Sequence, residues 1–179
     1  SFLYLSRDPR QIYESKRRTT RPYVPGQTMA WAGPIVCAMI WQRYERSHQW
    51  LIQNANVIEV RYEDVVESEE KVIERICQFL YTARVFDRSK TYEIPSLEQA
   101  IHEKVSLKEI DHDGAEKWRS SVSIIEIGAI EMITKSCYSE KGYLPYPMSN
   151  ITRLCCFLLV LMRTPFLVIS GKIYAHFNK

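Results

Sequence analysis

Arg7-Asp8-Pro9-Arg10, followed at a distance by Ser15, is the stretch whose residue types and spacing best suit chemistry. Asp8 suits a helix N-cap and Pro9 the first helical position, so these residues mark the point where a strand gives way to a helix. A helix N-terminus presents unpaired N–H groups and a partial positive charge. An adjacent guanidinium adds a bidentate fork, and together they hold phosphate or sulfate oxygens. Ser15 lies two turns above Asp8 on the same face, roughly 10 Å along the axis, with a hydroxyl that can donate to the same anion. The chemistry suggested is anion binding. A second reading stays open at this level, in which Arg7 pairs with Asp8 or with a carboxylate at the sheet end.

Other candidates are weaker. Tyr62, directly after a β-branched run, can pack its ring under the sheet edge and keep its hydroxyl in water, while Glu63 and Asp64 can satisfy the next helix start. In Lys117-Trp118-Arg119 the tryptophan is in phase with an apolar stripe and is assigned to the core, which leaves Lys117 and Arg119 as cations able to approach a ligand. Lys16, Arg17, Arg18 and Arg21 form the one basic cluster, read either as a solvated helix C-terminus or as a contact for an anionic glycan. The five cysteines show no C-x-x-C pair and no histidine at ligand spacing, so no metal site is expected. His48, His102, His112 and His176 sit apart from one another and are given no role.

The elements that must position these residues follow from pattern. Phe2 to Ser6 reads as a buried strand, and a helix should run from Pro9 to about Arg18, with Gln11 completing a capping box on Asp8. Thr19 to Gln27 is a Pro- and Gly-containing loop. A helix delayed by Gly33-Pro34 then reaches about Ile52. Asn56 to Arg61 reads as a second strand, and Ser68 as the start of a helix whose apolar face carries Val72, Ile73, Ile76, Phe79 and Leu80. Leu97 to Lys104 suggests a short helix, and Ala115 to Cys137 one long amphipathic helix ending near Gly142. Strand and helix alternate over the first 81 residues, which predicts an α/β fold with parallel strands and crossover helices.

At 179 residues, 46% of them hydrophobic, the chain can bury one sizeable core. A net charge of +3, with acids and bases interleaved, argues against a nucleic-acid-binding protein. Asn150-Ile151-Thr152 is a glycosylation sequon. Because the sequence opens on Ser1 directly in a strand, a partial domain is expected.

Three segments carry a family resemblance. Arg7-Asp8-Pro9-Arg10 with Ser15 resembles the 3′-phosphate-binding segment of sulfotransferases. Val60-Arg61-Tyr62-Glu63-Asp64 resembles the family's Arg-Tyr-Glu-Asp-Leu segment, with Val65 in place of leucine. Lys117-Trp118-Arg119, Cys137 and Gly142-Tyr143 are similar to the closing segment of Golgi carbohydrate 6-O-sulfotransferases, and the acidic run 111–116 replaces the basic loop of cytosolic relatives. The resemblance covers residues 2 to 146.

It implies a P-loop-like parallel sheet flanked by helices, present here as a partial domain over residues 1–146. It also implies transfer of a sulfuryl group from 3′-phosphoadenosine 5′-phosphosulfate to a carbohydrate hydroxyl, without a metal. Arg7 and Ser15 would hold the donor's 3′-phosphate, Tyr62 would lie near its adenine, and Lys117 and Arg119 would approach the nucleotide. The 5′-phosphosulfate loop and the general base would lie upstream of Ser1, so the segment alone is expected to be inactive. The implied acceptor is a glycan, in one version anionic. The implied location is the Golgi lumen, with membrane anchoring by a preceding N-terminal segment or by the tail.

That tail, residues 147–179, does not fit the resemblance. Leu154 to Met162 is wholly apolar, and Phe166 to Ile169 resumes after Arg163-Thr164-Pro165, too broken for an ordinary span of about 20 residues. It reads as a membrane-associated tail or an anomalous terminus. Two rival functions remain at this level: a non-catalytic membrane-associated homologue, and a polyanion-binding module built on Lys16 to Arg21.

Overall fold

The structure is a computed structural model and describes residues 1–20, 26–81 and 116–162. Strand β1 (Phe2–Ser6) pairs in parallel with β2 (Val57–Arg61), Phe2 opposite Val57 and Ser6 opposite Arg61. Helices α1 (Pro9–Arg18) and α2 (Gly33–Asn54) make the crossover between them, and α3 (Tyr62–Leu80) follows β2. A short α4 (Trp118–Ser121), α5 (Ile124–Glu140) and α6 (150–162) complete the described chain. The α/β class and the parallel crossover are those the alternation of patterns predicts. The proposed helix at 97–104 lies outside the described residues, as does part of the loop before α2.

The two sheet faces differ. Ile58 and Val60 pack with Val72, and Ile76 and Phe79 close over them, so α3 covers β2. Leu3 and Leu5, their register partners on β1, stay half-exposed on that face. The opposite face turns to α2 and α5, which make the most extensive helix contact among the described residues. Tyr13, Cys37, Ala38, Trp118, Val122, Ile127 and Ile130 form the main core there.

The helix expected to start at Ser68 is preceded by a helical segment from Tyr62; the two meet at Ser68, whose non-helical angles (φ −154°, ψ 76°) mark the start of the second. Two other sequence expectations need correction. The long helix proposed over Ala115 to Cys137 is two helices. Val122 is extended and Ser123 caps α5 by accepting from the Glu126 N–H, while the Glu126 side chain returns to the Ser123 N–H. That capping box, Ser-x-x-Glu, was legible, but the apolar repeat ran through it and masked it. Finally, Gln11 does not close a capping box on Asp8. Its side chain accepts from Arg7 Nε at 2.7 Å, and the Asp8 N–H goes to Glu63.

Between the sheet and α2 lies a buried polar group. Tyr4 donates to Glu45 at 2.8 Å and stacks on His48 with ring centroids 3.6 Å apart. Lys141 joins Glu45 at 3.1 Å, contacts Glu59, and lies 3.5 Å from His48 Nδ1. Burial first, then the Lys141 charge, holds the His48 pKa below its ordinary value. Cys156 of α6 seats against Gly128 of α5, where an added Cβ would come within 2.3 Å of its Sγ. All five cysteines are free thiols. Among the described residues no helix is long and apolar enough to cross a membrane.

Two expected outcomes follow from this packing. In a Cys155→Ser background, Gly128→Ala should displace α6 and raise the reaction rate of the otherwise buried Cys156 thiol with a colorimetric disulfide reagent; an unchanged rate would show that α6 is not held by this contact. His48 is neutral in the fold but takes up a proton at about pH 6.5 when unfolded. Stability is therefore complete above that pH and declines as pH falls toward the depressed folded value. Urea unfolding at pH 7.5 and 5.5 should show this decline in the wild type and a smaller one in His48→Gln.

Candidate functional site

Both strands end on the same side of the sheet, the side on which open parallel α/β folds place ligands. β1 delivers Arg7 and Asp8 there, and β2 delivers Arg61, Tyr62 and Glu63. Asp8 caps α1, its Oδ1 accepting from the Arg10 N–H at 2.8 Å. The same carboxylate accepts from Arg10 Nε and Nη2, the latter at 2.6 Å. Arg10, and not Arg7, therefore takes the charge of Asp8.

Arg7 is held otherwise. Its Nε donates to Gln11 Oε1, and its guanidinium lies 4.1 Å from the centroid of the Tyr62 ring. Among the described residues no carboxylate pairs with it. Glu63, the carboxylate at the end of β2, accepts from the Asp8 N–H at 2.9 Å and from the Tyr143 hydroxyl at 3.2 Å, and approaches Arg61 Nε at 3.8 Å. The structure shows neither of the alternative pairings, Arg7 with Asp8 or with a sheet-end carboxylate. A stacked guanidinium beside an α-helical N-terminus is suited to an anion with a planar apolar neighbour.

The other predicted residues are placed less closely. Ser15 stands further along α1, half-buried, with its carbonyl accepting from the Thr19 N–H and hydroxyl. Lys117 occupies the N-cap of α4. Arg119 is directed to Glu116, Nε to Oε2 at 2.7 Å, and is exposed. Arg7 and Tyr62 are thus brought together, while Arg119 is engaged in a surface ion pair. Trp118 is buried, as its phase in the apolar stripe predicts.

Sequence reasoning missed the residue that organises this end of the molecule. Arg10 is 3% exposed. Besides Asp8 it donates from Nη1 to Glu131 at 2.7 Å and to the Leu144 carbonyl at 3.0 Å. Its guanidinium also lies 3.9 Å from the Trp118 ring and 4.9 Å from that of Tyr138. Burial pushes the Glu131 carboxyl up, and the Tyr146 N–H and Arg10 oppose that shift without cancelling it. Nothing in a single arginine flags such burial beforehand. Tyr143 was seen only as half of a Gly-Tyr pair. Burial, then Glu63, raises its pKa, so it stays a proton donor to Glu63 at ordinary pH. Gly142 before it takes φ +74°, and a Cβ there would lie 3.8 Å from Arg61 Nη1.

A model of the sulfotransferase family matches residues 1–85, the segment that contains β1, α1, α2, β2, α3 and therefore both Arg7 and Tyr62. The match supports a sulfuryl-transferring enzyme. Comparison with curated proteins and with solved structures found no match.

Glu63 should hold the Arg7 turn in place through the Asp8 N–H. Glu63→Ala is expected to cost about 1–3 kcal/mol, the scale of a buried donor left unpaired. Tyr143→Phe should cost less, and the double variant less than the sum, because both act through one carboxylate. Urea unfolding of the four proteins decides this; strictly additive losses would show the two residues to be uncoupled.

Proposed function

We propose that this chain forms the nucleotide-binding part of a carbohydrate sulfotransferase that moves a sulfuryl group from 3′-phosphoadenosine 5′-phosphosulfate to a sugar hydroxyl. The observation that carries the reading is Arg7: a guanidinium at the end of β1, beside the α1 N-terminus, stacked on Tyr62 and with no carboxylate partner among the described residues. The family match over the same segment supports the reaction class.

In this reading Arg7 grips the donor's 3′-phosphate, and Ser15 donates its hydroxyl to another oxygen of the same group. Gln11 fixes the orientation of the arginine fork by accepting from Nε, which leaves both terminal nitrogens for the phosphate. Tyr62 offers a face at the edge of the sheet, beside which the adenine lies. The chain's contribution is to bind and orient the donor so that the sulfuryl group and the acceptor hydroxyl meet in line. The residues that cradle the 5′-phosphosulfate and take the hydroxyl proton belong, in this proposal, to sequence preceding Ser1. Lys117 and Arg119 are secondary donor contacts. For Arg119 this requires leaving Glu116, an exposed pair worth about 0–1 kcal/mol.

The carbohydrate acceptor, with 6-O placement and a Golgi setting, rests on the closing segment around Trp118, Cys137 and Gly142-Tyr143. The polyanion alternative is less well supported, because two of its cations are already engaged. Arg17 pairs with Glu126 at 3.3 Å and Arg18 with Glu14 at 2.6 Å.

Calorimetric titration with adenosine 3′,5′-bisphosphate tests the assignment. Arg7→Ala should weaken binding by about 1.5–3 kcal/mol, the scale of hydrogen bonds to a charged group, whereas replacing Lys16, Arg17, Arg18 and Arg21 by alanine should leave it largely unchanged. An unaltered affinity in Arg7→Ala would refute the site.

A further inference from the structure

A cavity of about 320 Å³ lies between α5 and α6, away from Arg7, Ser15 and Tyr62, none of which lines it. That volume is at the lower end of the range for small-molecule sites, about 300–1,000 Å³. Its α5 wall is a stripe at helical spacing: Gly128, Glu131, Met132, Lys135, Tyr138 and Ser139. The opposite wall is supplied by Pro145, Met148, Arg153 and Cys156. Arg153 and Cys156 belong to α6, so the cavity exists because α6 docks on Gly128.

The lining is apolar with charge at its mouth. Two thioethers, Met132 and Met148, supply flexible surface that adapts to an unbranched chain. Lys135 and Arg153 are exposed, and among the described residues neither has an ion-pair or hydrogen-bonding partner for its side-chain cation. Glu131 is the one acid in the lining, and its Oε1 is engaged by the protein itself. Its Oε1 accepts from Arg10 Nη1 at 2.7 Å and from the Tyr146 N–H at 2.8 Å. An apolar hollow lined by two unmatched cations, its one carboxylate held by Arg10 and the Tyr146 N–H, is complementary to an amphiphile with an anionic head.

We propose that this cavity binds a medium-chain alkyl carboxylate, the chain between Met132 and Met148 and the head group between Lys135 and Arg153. The site is independent of the nucleotide site and does not rest on the sulfotransferase reading. It gives the segment after Tyr146 a ligand-binding role.

Decanoate, well below its micellar concentration, is the probe, with decanol and acetate as the two halves of its chemistry. Calorimetry on the whole chain should show saturable binding of one decanoate, at least tenfold weaker binding of decanol, and none of acetate. Lys135→Gln with Arg153→Gln, both at exposed positions, should weaken decanoate at least tenfold and leave decanol unchanged. Met148→Trp should fill the cavity and abolish both, with circular dichroism confirming that each variant is folded. Absence of saturable decanoate binding would overturn the proposal, and so would equal binding of decanoate and decanol. Binding that survives both sets of substitutions would overturn it too, since it would place the amphiphile on the exposed Leu154 and Phe157 surface instead.

Discussion

One buried guanidinium holds this end of the molecule together. Arg10 ties the first turn of α1 to α5 through Glu131 and to the chain after α5 through the Leu144 carbonyl, and it lies against the Trp118 and Tyr138 rings. A cation taken so completely from water is tolerated only because two carboxylates, a carbonyl and two aromatic faces replace its hydration. Because its partners come from α1, α5 and the chain after α5, the cluster is complete only when these elements are docked together.

The candidate site is a consequence of that cluster. Asp8 is the nearest acid in sequence to Arg7 and would be its natural partner, but Arg10 occupies both of its oxygens. Glu63, the next acid at the sheet edge, is occupied by the Asp8 N–H and the Tyr143 hydroxyl. With both acids committed, Arg7 has no carboxylate partner among the described residues, and Gln11 and Tyr62 fix its direction. The anion-binding role proposed for it follows from where the carboxylates are spent, with the helix N-terminus beside it.

The same economy appears at Lys141. It closes α5 and joins Glu45 and Glu59, so the turn through Gly142 places Tyr143 against Glu63. The last third of the described chain thereby braces the end of the sheet at which Arg7 and Tyr62 meet. Its own outer surface, with α6 docked on Gly128, is left to form a separate apolar cavity.

Local rules sufficed for much of this. Both strands, the Asp8 cap, the Pro34-started helix and the strand-to-helix junction at Arg7 were legible, because capping residues, β-branched runs and turn residues act over a few positions. The contact of Arg7 with Tyr62 was not read from the sequence, since it joins residues 55 apart. What the tertiary structure alone decided is which charges meet. Arg10 and Arg7 are equivalent on paper, yet one is buried against Glu131, 121 positions away, and the other, partly exposed, lies against Tyr62 with no carboxylate partner among the described residues. The Glu63 bond to the Asp8 N–H has the same origin. Partner choice for a charge or a backbone donor is settled by packing between elements distant in sequence, and periodicity within one element carries no information about it.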